Sequence, residues 1–165
     1  MIRRSEPTEV LFRIKRGLAG YVSYLAACEM NESFSEYVLY EPILRILTAR
    51  GYSVKCECEC PGIPELSRGD KKRIDFVAEN DSKHFALEVK WAKSHTLEVT
   101  RDVEKLEAFH KAYPASHSFL CVFGRKTHIA DIEFRNGTFK EKGKAVYAEF
   151  RRTRYGCRIF ELMVA

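Results

Sequence analysis

The sequence predicts an α/β fold, a mixed central β-sheet flanked by helices with a β-rich C-terminal tail. Three observations predict it. The first fifty residues repeat their apolar positions at helical spacing, the period falls to two from Tyr52, and a second helical pattern over 98–112 stands between stretches that read as strands. The resulting order is helix, helix, three strands, helix, strand and a β-rich tail.

The first helix spans about Pro7 to Cys28, where Leu11, Ile14, Leu18, Val22 and Leu25 form the apolar stripe and Arg13, Lys15 and Arg16 are read as lying off it. A second runs from about Phe34 to Arg50. Ser33 opens it as N-cap with Glu36 three residues later, Leu39, Tyr40, Ile43 and Leu47 face inward, and Gly51 stops it. Pro42 inside it predicts a kink.

"YSVKCECEC" then alternates as a strand, "PGIPELSRGDKK" is a loop, and "RIDFVAEN" and "HFALEVKW" are strands joined by a short turn at Asp81-Ser82. Over 98–112, Val99, Val103, Leu106 and Phe109 share a helix face that ends before Pro114. "SFLCVFG" is a buried strand closed by Gly124. In the tail, Asn136-Gly137 predicts a hairpin turn between "DIEF" and "TFKEK", and "TRYG" a turn between "AVYAEFRR" and "CRIFELMV". No repeat or long linker divides the chain, so one domain over 1–165 is expected: an N-terminal helix over 1–30, a core over 33–124 and C-terminal β-hairpins over 128–165.

Bulk properties narrow the function classes. With 45% hydrophobic and 31% charged residues, the 165-residue chain has the composition of a globular protein, and neither disorder nor a fibrous class fits. "MIRRSEPTEVLF" holds no apolar run of signal-peptide length, and Arg13, Lys15 and Arg16 interrupt the next one, so a soluble cytoplasmic protein without membrane contact is expected. Twenty-eight Lys and Arg against 23 Asp and Glu give a net charge of +5, which favours a polyanionic partner. Six cysteines without a secretory signal read as thiols. In "CECEC", Cys56, Cys58 and Cys60 on one strand face stand about 6.6 Å apart per step, too far for one tetrahedral ion, so thiols inward with Glu57 and Glu59 outward is the expectation.

The chemistry centres on "FALEVKW". Strand alternation puts Glu88 and Lys90 on one face of a run that otherwise reads as buried. If Asp81-Ser82 is a two-residue hairpin loop, paired residue numbers sum to 163 throughout and Asp75 falls opposite Glu88 in a non-hydrogen-bonded pair, Cβ atoms ~4.5 to 5.5 Å apart. Facing carboxylates destabilise a sheet unless something compensates. Mg²⁺, which takes one or two carboxylates plus waters at ~2.0 to 2.1 Å, does so naturally.

Asp75, twelve intervening residues and then Glu88-Val89-Lys90 resembles the D…(D/E)xK signature of the PD-(D/E)xK nuclease superfamily, carried on a strand hairpin followed by a helix and a strand. Ile74 stands where a proline often precedes the aspartate. The resemblance covers roughly 33–124 and implies a restriction-endonuclease-like core and a Mg²⁺- or Mn²⁺-dependent nuclease acting on DNA, with RNA left open as substrate. It implies Asp75, Glu88 and the Val89 carbonyl as metal ligands, and Lys90 as the residue that orients or deprotonates the attacking water. Members often add a glutamate from the preceding helix. Glu36 is the choice here, because Glu41 lies about 140° around the helix from the apolar stripe. The following helix often supplies a polar residue, for which Lys105 or Asp102 serves.

Competing readings stand beside these. Glu36 serves equally as the capping-box residue of Ser33, and Glu88 and Lys90 as a surface ion pair with Asp75 a solvated neighbour. Lys71, Lys72 and Arg73, with Arg68, lead into the site and are expected to hold phosphates, as are Lys93 beside Trp91, Lys105, and the cluster Arg151, Arg152, Arg154 and Arg158. The five histidines show no ligand spacing. A non-catalytic nucleic-acid- or protein-binding module on the same fold is the alternative function, and a homodimer or a partner protein is the expected route to target selection.

Overall fold

The helical repeat of the N-terminal region becomes α1 (Thr8–Ala27), with Leu11, Ile14, Leu18 and Val22 buried along one stripe. The structure is a computed structural model that describes residues 6–30, 35–63, 72–134 and 137–163. Lys15 corrects the sequence reading: it lies four residues after Leu11 and three before Leu18, hence on the inward face, and is 3% exposed. Its Nζ donates to the Lys142 and Lys144 carbonyls at 2.6 and 2.8 Å, so the stem lies in the core while the charge is satisfied at the rim.

The second helix is shorter than expected, and Pro42 falls in its first turn. A 3₁₀ turn, Glu36–Leu39, leads into α2 (Tyr40–Thr48), which buries Ile43 and Leu47. Pro42 is the third residue of α2, where backbone N–H groups lack intrahelical partners in any case. The helix therefore starts around its proline. Ser33, the expected N-cap, lies outside the described residues.

The sheet follows as β1 (Ser53–Glu59), β2 (Arg73–Glu79), β3 (His84–Ala92), α3 (Thr100–Ala112), β4 (His117–Arg125), α4 (Lys126–Ile129), β5 (Phe139–Glu141), β6 (Val146–Phe150) and β7 (Thr153–Leu162). Its order is β1-β2-β3-β4-β7-β5, with β6 also on β7. β3 and β4 are parallel across the α3 crossover and the other pairs antiparallel, which makes the mixed sheet flanked by helices that the sequence predicts. One apolar cluster joins α1 and α2 to Phe85, Leu87, Val89, Phe119 and Cys121; a second joins α3 and α4 to Ala86, Ala92, Leu120 and Val122. Alternate residues of β3 and β4 thus face opposite cores, as the strand period requires.

The tail departs from its expected pairing. β7 enters the main sheet against β4, and its other edge is shared by β6 over Thr153–Cys157 and by β5 over Phe160–Leu162. "DIEF" forms no strand. Its Phe134 packs against the rings of Phe139 and Phe160 instead, and Asn136 lies outside the described residues. The β6–β7 turn is Arg151-Arg152, set by the Phe150↔Thr153 pair, so "TRYG" belongs to β7. The six cysteines are free thiols. Among the described residues no helix is long and apolar enough to cross a membrane.

Gly156 sits where β7 passes under the Tyr147 ring; a Cβ there would meet Tyr147 Cδ1 at 2.4 Å and the Val146 carbonyl oxygen at 2.9 Å. Backbone cannot yield as a flexible side chain does. Gly156→Ala is expected to cost about 1–3 kcal/mol, whereas Gly20→Ala, with nothing within 4 Å, gains about 0.5–1 kcal/mol from helix propensity. Urea denaturation of the two variants checks both signs.

Candidate active site at the opening of the β2–β3 ladder

The β2–β3 register follows the expected sum of 163 over Phe76↔Leu87, Val77↔Ala86, Ala78↔Phe85 and Glu79↔His84, and then stops. The expectation that it continues is corrected at Asp75. A continuing ladder alternates from the Asn80–Lys83 pair, where the Asn80 N–H donates to the Lys83 carbonyl, and would give the Val89 N–H to the Ile74 carbonyl. That N–H donates instead to Asp75 Oδ2 at 2.7 Å. A side chain has replaced a rung, and Asp75 and Glu88 are not a ladder pair.

The same position turns the strand over. Phe76 and Ala78 belong to the core on the α1–α2 side, but Ile74, two residues from Phe76, belongs to the α3–α4 side. β1 does likewise. Its pairs Cys56↔Phe76 and Cys58↔Ile74 flank a gap at Glu57 and Asp75, and Glu57 has φ +52°, a left-handed conformation that costs a non-glycine residue roughly 1–2 kcal/mol. The expected alternation of "CECEC" therefore fails: Cys56 is exposed and Cys58 half-buried, while Glu57 turns inward.

Glu57 and Asp75 meet at one hydroxyl. Tyr40 Oη lies 2.6 Å from Glu57 Oε1 and 2.6 Å from Asp75 Oδ1, and the Tyr40 ring packs on Phe76. Burial raises the Tyr40 phenol, and the two carboxylates raise it further, so it stays a donor. Burial also raises the Asp75 carboxyl, against the bonds from Tyr40 and Val89. Each Asp75 oxygen keeps a lone pair beyond the hydrogen bond it accepts.

Glu88 is 1% exposed. Lys105 of α3 donates to its Oε2 at 2.5 Å and to the Arg73 carbonyl at 3.0 Å. Oε1 is buried with no hydrogen-bond partner among the described residues. Burial, reinforced by Asp75, pushes the Glu88 carboxyl up to about 9 against the pull of Lys105. Asp102, 6% exposed in the first turn of α3, lies 3.0 Å from Lys90 Nζ and 3.5 Å from Lys105 Nζ. These partners hold both ammonium groups above the usual lysine range, against burial. Lys105 thus stands as one positive charge beside the two carboxylates.

Glu36 Oε1 accepts the Trp91 N–H at 3.2 Å, which fastens the 3₁₀ turn to the strand carrying Lys90, and Glu41 points outward to Arg45. The structure thus brings together Asp75, Glu88, Lys90 and Glu36 with Lys105 and Asp102. Trp91 packs on Phe123, with the Lys93 ammonium 5.1 Å from its ring centroid. Lys72 pairs with Glu104, Arg73 is exposed, and Lys71 lies outside the described residues. Arg158 is removed from the phosphate-binding candidates, because it forks onto Glu141 and three carbonyls, those of Ile129, Ala130 and Ile132. Sequence reasoning missed Glu57, since a left-handed residue within a strand has no sequence signature. It placed Tyr40 inward without asking where a buried hydroxyl finds its partner, and that requirement was the available signal.

Among the described residues no group of three or more His, Cys, Asp or Glu side chains is arranged to hold a metal ion. The donors offered are the Asp75 and Glu88 carboxylates, and Glu88 Oε1 is buried without a hydrogen-bond partner among the described residues; such a set fits Mg²⁺, which keeps much of its water.

An antiparallel hairpin, a crossover helix and a parallel strand, with an Asp…Glu-x-Lys set on the hairpin of a mixed, helix-flanked sheet, follow the order expected of a restriction-endonuclease-like core. No family model and no curated protein matches the sequence. Among solved structures the chain is similar to that of Archaeoglobus fulgidus Hjc, a Holliday junction resolvase from an archaeal hyperthermophile. The match has 16% identity over 70% of this chain and 84% of that one, and a TM-score of 0.38.

Removing the Tyr40 hydroxyl leaves Glu57 and Asp75 without their shared donor. Tyr40→Phe is expected to lose about 1–3 kcal/mol in urea denaturation at pH 7. Glu88 sets a pH dependence. Its carboxyl moves from 4.5 to about 9 on folding; between those values the unfolded chain releases the proton and the folded chain keeps it, so stability falls as pH rises through the window. Melting curves from pH 5 to 9 without added metal should show this slope, and Glu88→Gln should flatten it.

Proposed function

We propose that the chain is a metal-dependent nuclease that hydrolyses phosphodiester bonds in DNA. The observation that carries the reading is the buried Glu88 Oε1, without a hydrogen-bond partner among the described residues, set at the opening of the β2–β3 ladder with Asp75, Lys90 and Lys105 around it. Glu88 and Asp75, with the Val89 carbonyl, would hold Mg²⁺ or Mn²⁺. The ion would supply Lewis acidity toward a phosphate oxygen and toward a bound water.

The chain's own residues do the rest. Lys90, kept protonated and aimed by Asp102, positions the attacking water and stabilises charge developing on the phosphate. Tyr40 and the Val89 N–H fix the Asp75 carboxylate from two sides, and Glu36 fixes the backbone at Trp91. Lys93, Arg73 and Lys72 border the site as phosphate contacts, and Lys71 is proposed with them. A homodimer or a partner protein would select the target.

One observation favours a second reading. Lys105 of the same chain already satisfies Glu88 Oε2, as a binding module on this fold that holds no metal would need. Two measurements separate the readings. Mg²⁺ at about 100 times its Kd should stabilise the wild-type fold by about 2.7 kcal/mol, and Glu88→Ala should abolish that gain. On supercoiled, linear, single-stranded and branched DNA with Mg²⁺ or Mn²⁺, Asp75→Ala and Lys90→Ala should each lower the cutting rate about 10²-fold or more. Absence of both Mg²⁺ stabilisation and cutting, with DNA still bound, leaves the binding module as the function.

A further inference from the structure

Beyond the candidate site, the molecule carries a basic cleft at the far end of β4 and the tip of the β6–β7 hairpin. The cleft has a volume of about 590 Å³ and brings Arg125, Lys126, Arg152 and Arg154 to one concavity, with Glu149 its single acid. The hydroxyls of Thr127 and Thr153 complete the lining. All six of these side chains other than Thr153 are exposed, and Thr153 is half-buried. Arg154 is paired with Glu149, whereas Arg125 and Arg152 have no ion-pair partner among the described residues.

This cleft is built from segments far apart in sequence. Arg125 closes β4 opposite Tyr155, and Phe150↔Thr153 sets Arg151-Arg152 as the hairpin loop. Arg151 has φ +55°, at a position where a two-residue hairpin loop favours glycine. A less strained turn was available, and the chain holds two arginines there. The scaffold beneath is fixed: Arg158 pins the α4 carbonyls, and His128 Nδ1 lies 3.1 Å from the Ala92 carbonyl at the end of β3.

Part of the cleft borders the same side of the sheet as the candidate site. Lys126 lies over the Tyr147 ring, which packs on the α3–α4 side of the sheet, the side on which Lys90 meets Asp102 of α3. Lys90 is level with Val122, so Arg125 stands three residues further along and the hairpin tip about three more. At strand rise and spacing that is roughly 10 to 20 Å from Lys90, or about three to six base pairs of duplex.

We propose that this cleft is a second binding site for the phosphate backbone of duplex DNA, which holds the helix several base pairs from the point of cutting. Guanidinium forks, an ammonium and hydroxyls around a shallow concavity suit successive phosphates. The proposal rests on the nuclease reading for its orientation, but its test reads binding alone.

The test is the salt dependence of binding to a fluorescent 24-base-pair duplex in EDTA, followed by anisotropy. Replacing Arg125, Lys126 and Arg152 together by alanine should weaken binding at least tenfold at 0.15 M salt and reduce the slope of log K against log salt by about 2 to 3, at ~0.9 per phosphate contact. Glu149→Gln, a mild exposed change that removes the only acid of the cleft, should tighten binding two- to fivefold, and keeps the test decisive if the triple variant folds poorly. Unchanged affinity and slope in the folded triple variant, or no tightening in Glu149→Gln, would overturn the proposal. So would loss of binding to phosphatidylserine vesicles in the triple variant with duplex binding intact. Failure of the nuclease reading shows elsewhere, as absence of cutting by wild-type protein whose binding still responds to these substitutions as expected.

Discussion

The structure turns on one exchanged hydrogen bond. Where the β2–β3 ladder would offer the Val89 N–H to a backbone carbonyl, the Asp75 carboxylate takes it. A backbone donor in a sheet interior cannot go unpaired without a cost of the order of a lost hydrogen bond. The side chain is thus what allows β2 to leave β3 at this point. Once the strands part, Ile74 and Phe76 enter opposite cores, β1 turns over beside β2 through the left-handed Glu57, and a polar opening appears in a sheet that is apolar on both faces.

Charges gather at the opening and must be balanced there. Glu88 and Asp102 are almost wholly buried acids; Lys105 lies between them and Lys90 pairs with Asp102. Linked in the order Lys90, Asp102, Lys105 and Glu88, the four groups compensate one another better than isolated pairs would, because Asp102 and Lys105 each serve two partners and fewer rotamers are fixed per contact. The balance is incomplete at Glu88 Oε1. Replacing such a network by apolar side chains is often neutral or stabilising in other proteins, so a buried oxygen with no partner is unexpected in a site whose purpose is stability alone.

The C-terminal half supports this centre from behind. β7 pairs with β4 along most of its length, and β4 is the parallel partner of the strand that bears Glu88 and Lys90. Arg158, on β7, ties β5 and the end of α4 together, and Lys15 ties α1 to the segment between β5 and β6. Lys15 is buried and Arg158 half-buried, and the role of each is to satisfy carbonyls or a carboxylate. A run of arginines in this sequence therefore divides into one that builds the fold and others left facing solvent.

The sequence by itself determined the α/β class, most elements and the β2–β3 register near its turn, because these follow from the periods of 3.6 and 2 and from a two-residue turn. It also placed Asp75, Glu88 and Lys90 near one another, since thirteen residues and a hairpin leave little freedom. Only the tertiary structure decided the partners: the Lys105 counter-ion and the Asp102 between two lysines come from a helix whose angle on the sheet no local pattern specifies. The Tyr40–Glu57–Asp75 contact needs three elements and a left-handed residue within a strand, and the burial of Lys15 and Arg158 needs carbonyls from distant segments. The physical reason is common to all of them. Periodicity records which way a side chain faces along its own element, but the hydrogen bonds and charges that make a site are settled between elements, where packing fixes distances the sequence leaves free.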